Sequence, residues 1–322
     1  MEGIALFPWQ AQAWRQLEAY LRLARLSQAL LITGPSGLGK GQLAQRFART
    51  LLCQNQSACG QCSACRLLEA GNHPDYLTLI PETGKELTIE SIRDLIEKLA
   101  LKPHYGLRRV AVIHACERMN LAAANCFLKT LEEPALGTVI VALSALPSRL
   151  PATIRSRCQH VRLVAPPLAV SVPWLEHQGF AKEKAELALL QNGRAPLAAR
   201  AWLHSDLPEK RCKFLESWIQ LLAGQKDPVL FARDWSDEPL EHITFWLLTL
   251  VADLARLAMG LRDSLLNPDQ NARLHALAKK LNLTRLLAFW QRLLEVREVL
   301  DSQLNQALLL ESLLLASLKL KV

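Results

Sequence analysis

Hydrophobic and polar positions follow two different patterns along the first half of the chain. Short apolar runs with the length of buried strands occupy residues 28–33, 76–80, 109–113 and 138–143. Helical periodicity covers residues 39–52, 89–101 and 121–133. Strands separated by helices predict an α/β domain with a mostly parallel sheet that is covered on both faces.

The helix predicted over 121–133 has signals at both ends. Asn120 is placed as an N-cap, whose side-chain oxygen accepts a free N–H group of the first turn, and Pro134 stops the helix. Its apolar residues are expected on one face, which comprises Leu121, Ala124, Leu128 and Leu131.

The strand pattern stops near residue 165, and helical periodicity replaces it. Pro166-Pro167 is a predicted domain boundary, and Leu207-Pro208 marks a second one. The predicted division is an α/β domain over 1–165, a small helical domain over 166–207 and an all-α domain over 208–322. Leucines crowd the last predicted helix. Most are expected in the core of a helical bundle, which leaves some for an oligomer interface.

Composition excludes several classes of protein. Of 322 residues, 50% are hydrophobic and 21% are charged, which is typical of a packed globular chain and excludes global disorder. No run of about 18 uncharged apolar residues exists, so we expect no membrane contact, and no signal peptide opens the chain. A cytoplasmic location is the resulting expectation. The net charge of +8 fits either a polyanionic partner or an ordinary charged surface.

A glycine-rich loop follows the first predicted strand and opens a helix. Gly34, Gly37, Gly39 and Lys40 fit the pattern G-x-x-x-x-G-K, in which backbone N–H groups surround phosphates and the lysine reaches the outer ones. The next position should carry a Ser or Thr hydroxyl that binds Mg²⁺, but it is Gly41. The loop predicts descent from a nucleotide-binding fold more strongly than it predicts hydrolysis.

The acids of an ATPase site are also missing. They should stand at the end of the strand over 109–113, where the sequence has His114 and Ala115. Glu117 lies a little further on, and we expect it to cap or decorate the following surface rather than replace them. The missing hydroxyl and the missing acids are both groups that Mg²⁺-dependent hydrolysis needs, so an inactive site is predicted.

Four of the eight cysteines fall within 13 residues. Cys53, Cys59, Cys62 and Cys65 have spacings at which thiolates can converge on one tetrahedral Zn²⁺. Four thiolates leave no open position for water, so a structural zinc is predicted. The remaining cysteines, Cys116, Cys126, Cys158 and Cys212, are scattered and fit the role of small buried apolar residues.

Several strings together resemble one family. They are GPSGLGKG (34–41), the four-cysteine insertion after the first helix, NHPDY (72–76), NCFLKTLEEP (125–134) and IRSRC (154–158). Their order and spacing are similar to those of the bacterial clamp loader subunits of the AAA+ class, and especially to the subunit without a working ATP site. The combination is specific, whereas any single string is not.

The resemblance implies a RecA-like AAA+ domain, a helical lid domain and a helical collar that joins the subunits of a ring. Such a ring belongs to the holoenzyme of a DNA-directed DNA polymerase, a nucleotidyltransferase. It uses ATP to open the sliding clamp and place it on primed DNA. The implied partners are therefore the ATP-hydrolysing and clamp-opening subunits and, indirectly, the clamp and DNA. ATP would be bound only in neighbouring subunits.

The resemblance also implies roles for single residues. Arg157, in the SRC string, would be an arginine finger that reaches the γ-phosphate held by the next subunit. Ser144 matches a polar sensor position. ATP-hydrolysing members carry a lid arginine that touches the nucleotide, and the matching position here is Pro196, with Arg194 close by.

Three hypotheses follow. The first is a non-hydrolysing ring member that supplies Arg157 to a neighbour. The second is a degenerate but active ATPase subunit of the same complex. The third is a zinc-dependent DNA-binding protein, which the charge and the cysteines favour, although only Arg66 lies directly beside the cysteines.

Overall fold

The computed structural model describes residues 5–321 apart from residues 24, 83, 107, 262, 264, 299 and 301–304. The strands are β1 (Ala29–Thr33), β2 (Tyr76–Leu79), β3 (Arg109–Ile113), β4 (Thr138–Ser144) and β5 (Gln159–Arg162). The helices are α1 (Ala11–Arg22), α2 (Lys40–Leu52), α3 (Ser63–Glu69), α4 (Ile89–Ala100), α5 (Leu121–Glu132), α6 (Ala152–Arg157), α7 (Leu168–Glu176), α8 (Lys182–Gln191), α9 (Pro196–His204), α10 (Leu207–Leu222), α11 (Pro228–Asp234), α12 (Leu240–Ala258), α13 (Asn271–Ala278), α14 (Leu283–Glu298) and α15 (Gln306–Ser317).

The strands and helices form two compact units. The first comprises Met1–Val170 with Ala195–Ala198, and the second comprises Ser171–Arg194 with Ala199–Val322.

The first unit is built on a parallel sheet with the strand order β2-β3-β4-β1-β5. Side chains alternate across it. Leu30 and Ile32 of β1 pack with Phe47 of α2 on one face, and Leu31 packs with Phe127 of α5 on the other. Both faces are covered, which explains why the strands are continuous apolar runs. The predicted fold class, a parallel α/β domain followed by helical regions, is confirmed.

The carboxyl ends of the central strands meet at one edge of the sheet. Thr33 at the end of β1 pairs with Ser144 at the end of β4, and Ile113 at the end of β3 pairs with Ala142. The glycine-rich loop after β1 and the turn after β3 therefore lie at the same edge. Ligands bind at this edge in open parallel α/β sheets.

The predicted strands and helices of this unit are found, and their ends agree with the prediction within one residue. Asn120 caps α5 as predicted, because its Oδ1 accepts the N–H of Ala123 at 2.8 Å. Leu121, which the prediction places on one face with Ala124, Leu128 and Leu131, is 75% exposed. The buried stripe of α5 instead repeats every four residues from Ala123 through Phe127 to Leu131.

The second unit contains helices and no strand among its described residues. Its core surrounds Trp218 and Leu247. A buried polar cluster lies beside that core, where Asp253 accepts the backbone N–H of Asn267 at 2.7 Å and Gln191 donates to the Asn267 side chain at 3.1 Å. Gln191 and Asn267 fall in the predicted lid and collar, so hydrogen bonds cross between those two segments. The boundaries near 165 and 207 stay predictions.

The last helix divides its leucines between the core and the surface. Leu310, Leu313 and Leu314 are buried, whereas Leu308 and Leu315 are exposed. None of the helices in the described ranges is long and apolar enough to cross a bilayer.

Candidate functional site

The glycine-rich loop has a backbone that depends on its glycines. It joins β1 to α2. Gly34, Gly37 and Gly39 have φ angles of 148°, 78° and 80°, which residues other than glycine rarely adopt. Lys40, the first residue of α2, donates from Nζ to the carbonyl oxygens of Gly34 at 2.6 Å and of Pro35 at 2.9 Å. The lysine thus closes the loop on itself. Burial lowers the pKa of Lys40, and the Glu117 carboxylate opposes this shift.

A short N-terminal segment holds the end of this loop. Trp9 donates from Nε1 to the carbonyl oxygen of Leu38 at 2.9 Å, and the buried Gln10 donates from Nε2 to Leu38 and Gly39. A Cβ at Gly39 would lie 2.6 Å from the Gln10 side chain. Sequence reasoning missed this contact, because no local pattern relates residues almost thirty positions apart.

The two departures from an ATPase site face each other. A Cβ at Gly41 would lie 3.1 Å from Cε1 of His114, which is closer than most real contacts of that kind. A side chain at residue 41 would therefore require the His114 ring to move slightly. Burial lowers the pKa of His114, so the ring is neutral near pH 7 and supplies no positive charge.

Glu117 does not decorate the surface, which corrects the expectation from the sequence. It lines a cavity of about 420 Å³ together with Lys40, Gly41 and His114. One carboxylate oxygen accepts the N–H of Ala145 at 3.0 Å, and the other is buried with no hydrogen-bond partner among the described residues. The turn after β3, in which Ala115 has a φ of 48°, directs Glu117 inward.

The start of α9 covers the glycine-rich loop with apolar side chains. The N–H of Leu197 donates to the carbonyl oxygen of Gly37 at 3.0 Å, and the Leu197 side chain lines the same cavity. Pro196, the position matched to the lid arginine, is the first residue of this helix. Ser144 is fully buried at the end of β4.

The four cysteines of the predicted metal site come together. Their sulfur atoms all lie within 4.8 Å of one another. Cys53 Sγ is 3.6 Å from Cys59 Sγ and 3.9 Å from Cys62 Sγ. A tetrahedral zinc with Zn–S bonds of about 2.3 Å requires S–S separations of about 3.8 Å. The two shortest separations match this value, and the whole cluster is compact enough for the four sulfur atoms to close on one tetrahedral ion.

The backbone around the cluster is shaped to present sulfur. Gln56 and Ala58, between Cys53 and Cys59, and Gly60, directly after Cys59, all have positive φ angles, so the chain turns tightly on both sides of Cys59. The N–H of Cys59 donates to Cys53 Sγ at 3.5 Å, and the N–H of Cys65 donates to Cys62 Sγ at 3.4 Å. Such bonds stabilise thiolates, which are the forms that bind metal.

The pKa values of two thiols in this cluster shift in opposite directions, that of Cys53 downward and that of Cys65 upward. Burial opposes ionisation of Cys53, but the N–H groups of Cys59, Ser57 and Asn55 outweigh it and lower the pKa of Cys53 to about 6. Burial, together with neighbouring Cys62 and Cys53, raises the pKa of Cys65 to about 12. Four thiolates this close need a cation to hold their charge. The cluster could therefore bind a metal ion.

Arg157 is the last residue of α6, and 36% of its side chain is exposed. Its Nη1 donates to the carbonyl oxygen of Thr153 at 3.0 Å, and its Nη2 donates to Glu132 Oε1 at 2.5 Å. Glu132 is the last residue of α5. The guanidinium is thus held at the surface between two helix ends.

The NHPDY string marks a buried ion pair that sequence reasoning did not assign. The fully buried Asp75 accepts N–H groups of His104 and Tyr105 and binds the Arg109 guanidinium at 3.0 Å. Burial opposes the charge, but these donors outweigh it and lower the pKa of Asp75. This pair ties the start of β3 to the loop before β2 and is structural. An acid directly before one strand and an arginine opening the next was the available signal.

Two family models and several curated relatives that match this chain are described as subunits of DNA polymerase III. Family models described as "DNA polymerase III, delta subunit" and "DNA polymerase III, delta subunit, C terminal" match residues 9–167 and 205–318. DNA polymerase III subunit delta′ of Pseudomonas aeruginosa is 35% identical over 96% of both chains. That of Escherichia coli K12 is 34% identical over 96% of this chain and 94% of its own. A crystal structure of a DNA polymerase III gamma subunit-related protein from Thermotoga maritima covers 95% of this chain and 100% of its own, with 17% identity and a TM-score of 0.49.

Proposed function

Because the chain belongs to the DNA polymerase III subunit delta′ family, we propose that it is a non-hydrolysing subunit of a clamp loader. In this role it helps the replicative DNA polymerase III holoenzyme to load a sliding clamp onto primed DNA. Its partners are the ATP-hydrolysing and clamp-opening subunits, and through them the clamp and the DNA. A cytoplasmic location is part of the proposal.

The contact between Gly41 and His114 carries this proposal. Mg²⁺-assisted phosphoryl transfer needs a hydroxyl at the first position and an acid at the second. Here an imidazole packs against a glycine, so the cavity beside Lys40 offers neither ligand at the places where both belong. Developing charge on a γ-phosphate would remain unneutralised. The loop with Gly34, Gly37 and Gly39 is vestigial, and its Lys40 donates hydrogen bonds to carbonyl oxygens of the loop itself.

Arg157 is the residue that gives the chain a role in ATP hydrolysis. It is exposed at the end of α6, where a neighbouring subunit can approach it. A planar and permanently charged guanidinium can contact phosphate oxygens at two points. In GTPases, such a finger given in trans accelerates hydrolysis by about 10³–10⁵. A chain with an inactive site would in this way still be required for turnover by the ring.

The metal in the proposal is Zn²⁺, held by Cys53, Cys59, Cys62 and Cys65. The separation of the sulfur atoms supports it, as does the all-thiolate donor set. A closed set of four thiolates gives the ion a structural role, in which it fixes the loop between α2 and α3.

A degenerate but active ATPase is the second candidate, because the Glu117 carboxylate lines the cavity of Lys40. Single-turnover hydrolysis of Mg-ATP by the isolated chain separates the two candidates. We expect no hydrolysis above that of the Lys40→Ala variant. Hydrolysis that the Lys40→Ala change abolishes would overturn the non-hydrolysing assignment and favour Glu117 as the substitute acid.

A further inference from the structure

Glu132 fixes the position of the Arg157 side chain. The distance from Nη2 to Glu132 Oε1 is 2.5 Å, and Nη1 is bound at the same time to the carbonyl oxygen of Thr153 at 3.0 Å. One acceptor lies on α6 itself and the other at the end of α5. Two acceptors on different elements fix both the position and the plane of the guanidinium.

The remaining donors of Arg157 are free for another ligand. A guanidinium carries five N–H groups. Thr153 and Glu132 each use one of them among the contacts in the described residues, which leaves three. A two-point contact with a phosphate needs two. The ion pair therefore orients Arg157 without using up its capacity to bind phosphate.

The pair is too exposed to serve mainly the stability of the fold. The Arg157 side chain is 36% exposed and that of Glu132 is 50% exposed. Ion pairs at such positions contribute little to stability, since water and salt screen them. An arginine side chain loses considerable rotamer freedom when it is fixed for a contact. A carboxylate that fixes it beforehand lowers that cost at the moment of the reaction.

We propose that Glu132 is a positioning residue, which holds the Arg157 guanidinium in the orientation that contacts a phosphate of the neighbouring subunit. This inference rests on the proposed function. Glu132 would contact Arg157 and not the nucleotide. Its loss should slow the chemical step and leave the affinity for ATP unchanged.

Glu133 provides a matched control. It directly follows Glu132, is likewise exposed, and forms no salt bridge within the part of the chain that the structure describes. Glu132→Gln and Glu133→Gln remove the same charge from almost the same place. A general electrostatic effect on the ring would appear in both variants, whereas a positioning effect would appear only in the first.

The test uses a reconstituted clamp loader in which only the ATP site next to this chain can hydrolyse. The phosphate-loop lysines of the other ATPase subunits are replaced by alanine, and this assembly is called the single-site ring. Single-turnover rate constants and ATP dissociation constants are measured with sliding clamp and primed DNA present. The chain carries Glu132→Gln, Glu133→Gln, Arg157→Ala, or Glu132→Gln with Arg157→Ala. Melting temperatures of the isolated chains check folding.

We expect Glu132→Gln to lower the rate constant about 5- to 10-fold, which corresponds to about 1–1.4 kcal/mol. The ATP dissociation constant should not change, and Glu133→Gln should behave as the wild type. Adding Glu132→Gln to Arg157→Ala should slow the ring no further, since the residue to be positioned is gone. The melting temperature should stay within about 2 °C.

The failures of the two proposals are distinguishable. If Arg157→Ala slows the ring but Glu132→Gln leaves it as fast as the wild type or faster, the positioning role is overturned and the proposed function stands. An equal additional loss in the Arg157→Ala background would also overturn positioning. If Arg157→Ala has no effect, the proposed function fails, and the inference fails with it.

Discussion

Replacing the buried carboxylate of Asp75 should weaken the sheet far more than a surface substitution does. Asp75 is fully buried, and its partner Arg109 is only 3% exposed in its side chain. Asp75→Asn keeps the shape but offers one accepting oxygen where the carboxylate has two. The N–H groups of His104 and Tyr105 and the Arg109 guanidinium then compete for that oxygen.

The expected cost follows from the charge that remains. Removing one partner of a buried ion pair typically costs about 3–5 kcal/mol, because the other charge stays buried without compensation. The remaining bonds of Arg109, to the carbonyl oxygens of Lys98 and Lys102, are to neutral groups and replace little of that loss. We therefore expect the free energy of unfolding of the first unit to fall by about 3–5 kcal/mol.

Hydrogen exchange of the β3 amides measures this cost within the unit. Where exchange reports equilibrium opening, the predicted loss accelerates exchange at Ala111 and Val112 by about 100-fold or more. The control is Asp94→Asn, on an exposed position of α4, which should change exchange less than about threefold. An Asp75→Asn chain that exchanges as slowly as the control would refute the reasoning.

The pH dependence has a definite sign. The pKa of Asp75 is lower in the folded chain than its ordinary value of 3.8. The stability that this carboxylate supplies is therefore fully present above pH ~4 and is lost as the pH falls through the lowered value. The difference between wild type and Asp75→Asn should stay constant from pH 5 to pH 8 and shrink below about pH 4.

Two further predictions concern the metal and the loop. Protein purified under reducing conditions should contain one zinc per chain by elemental analysis, and absence of zinc would contradict the assignment. Chelation of the metal should increase hydrogen exchange across residues 53–65, because metal binding is coupled to folding of the site. Gly41→Ser should not restore ATP turnover to the isolated chain, since its Cβ would lie 3.1 Å from His114 and the acids would still be missing. Turnover by that variant would show that His114 and Ala115 do not disable the site.

Local patterns predicted the elements whose burial leaves a clear hydrophobic pattern in the sequence. The runs that became β1, β3 and β4 are apolar throughout because both sheet faces are covered. The strand β5 was missed, since it is short, lies at the sheet edge and buries only Val161 fully. A polar edge strand carries little of the periodicity on which prediction depends.

The candidate site was predictable where its chemistry is local in the sequence. The cysteines lie close together in the chain, and the glycine-rich loop is continuous, so spacing alone identified both. Contacts between residues far apart in the sequence could not be predicted from local patterns. Examples are the hydrogen bond from Gln10 to the glycine-rich loop, the packing of His114 near Gly41 and the ion pair of Glu132 with Arg157. Glu117 was misjudged because the left-handed backbone at Ala115 turns it inward.

Single-turnover ATP hydrolysis by the single-site ring with Arg157→Ala tests most directly whether this chain supplies an arginine finger to its neighbour. The control is Arg162→Ala, which removes another exposed arginine from the nearby β5. We expect Arg157→Ala to lower the rate constant about 10³-fold or more, which is the lower end of the effect of an arginine finger. Ring assembly, zinc content and the Arg162→Ala ring should remain as in the wild type. A ring with Arg157→Ala that hydrolyses ATP at the wild-type rate would contradict the central claim.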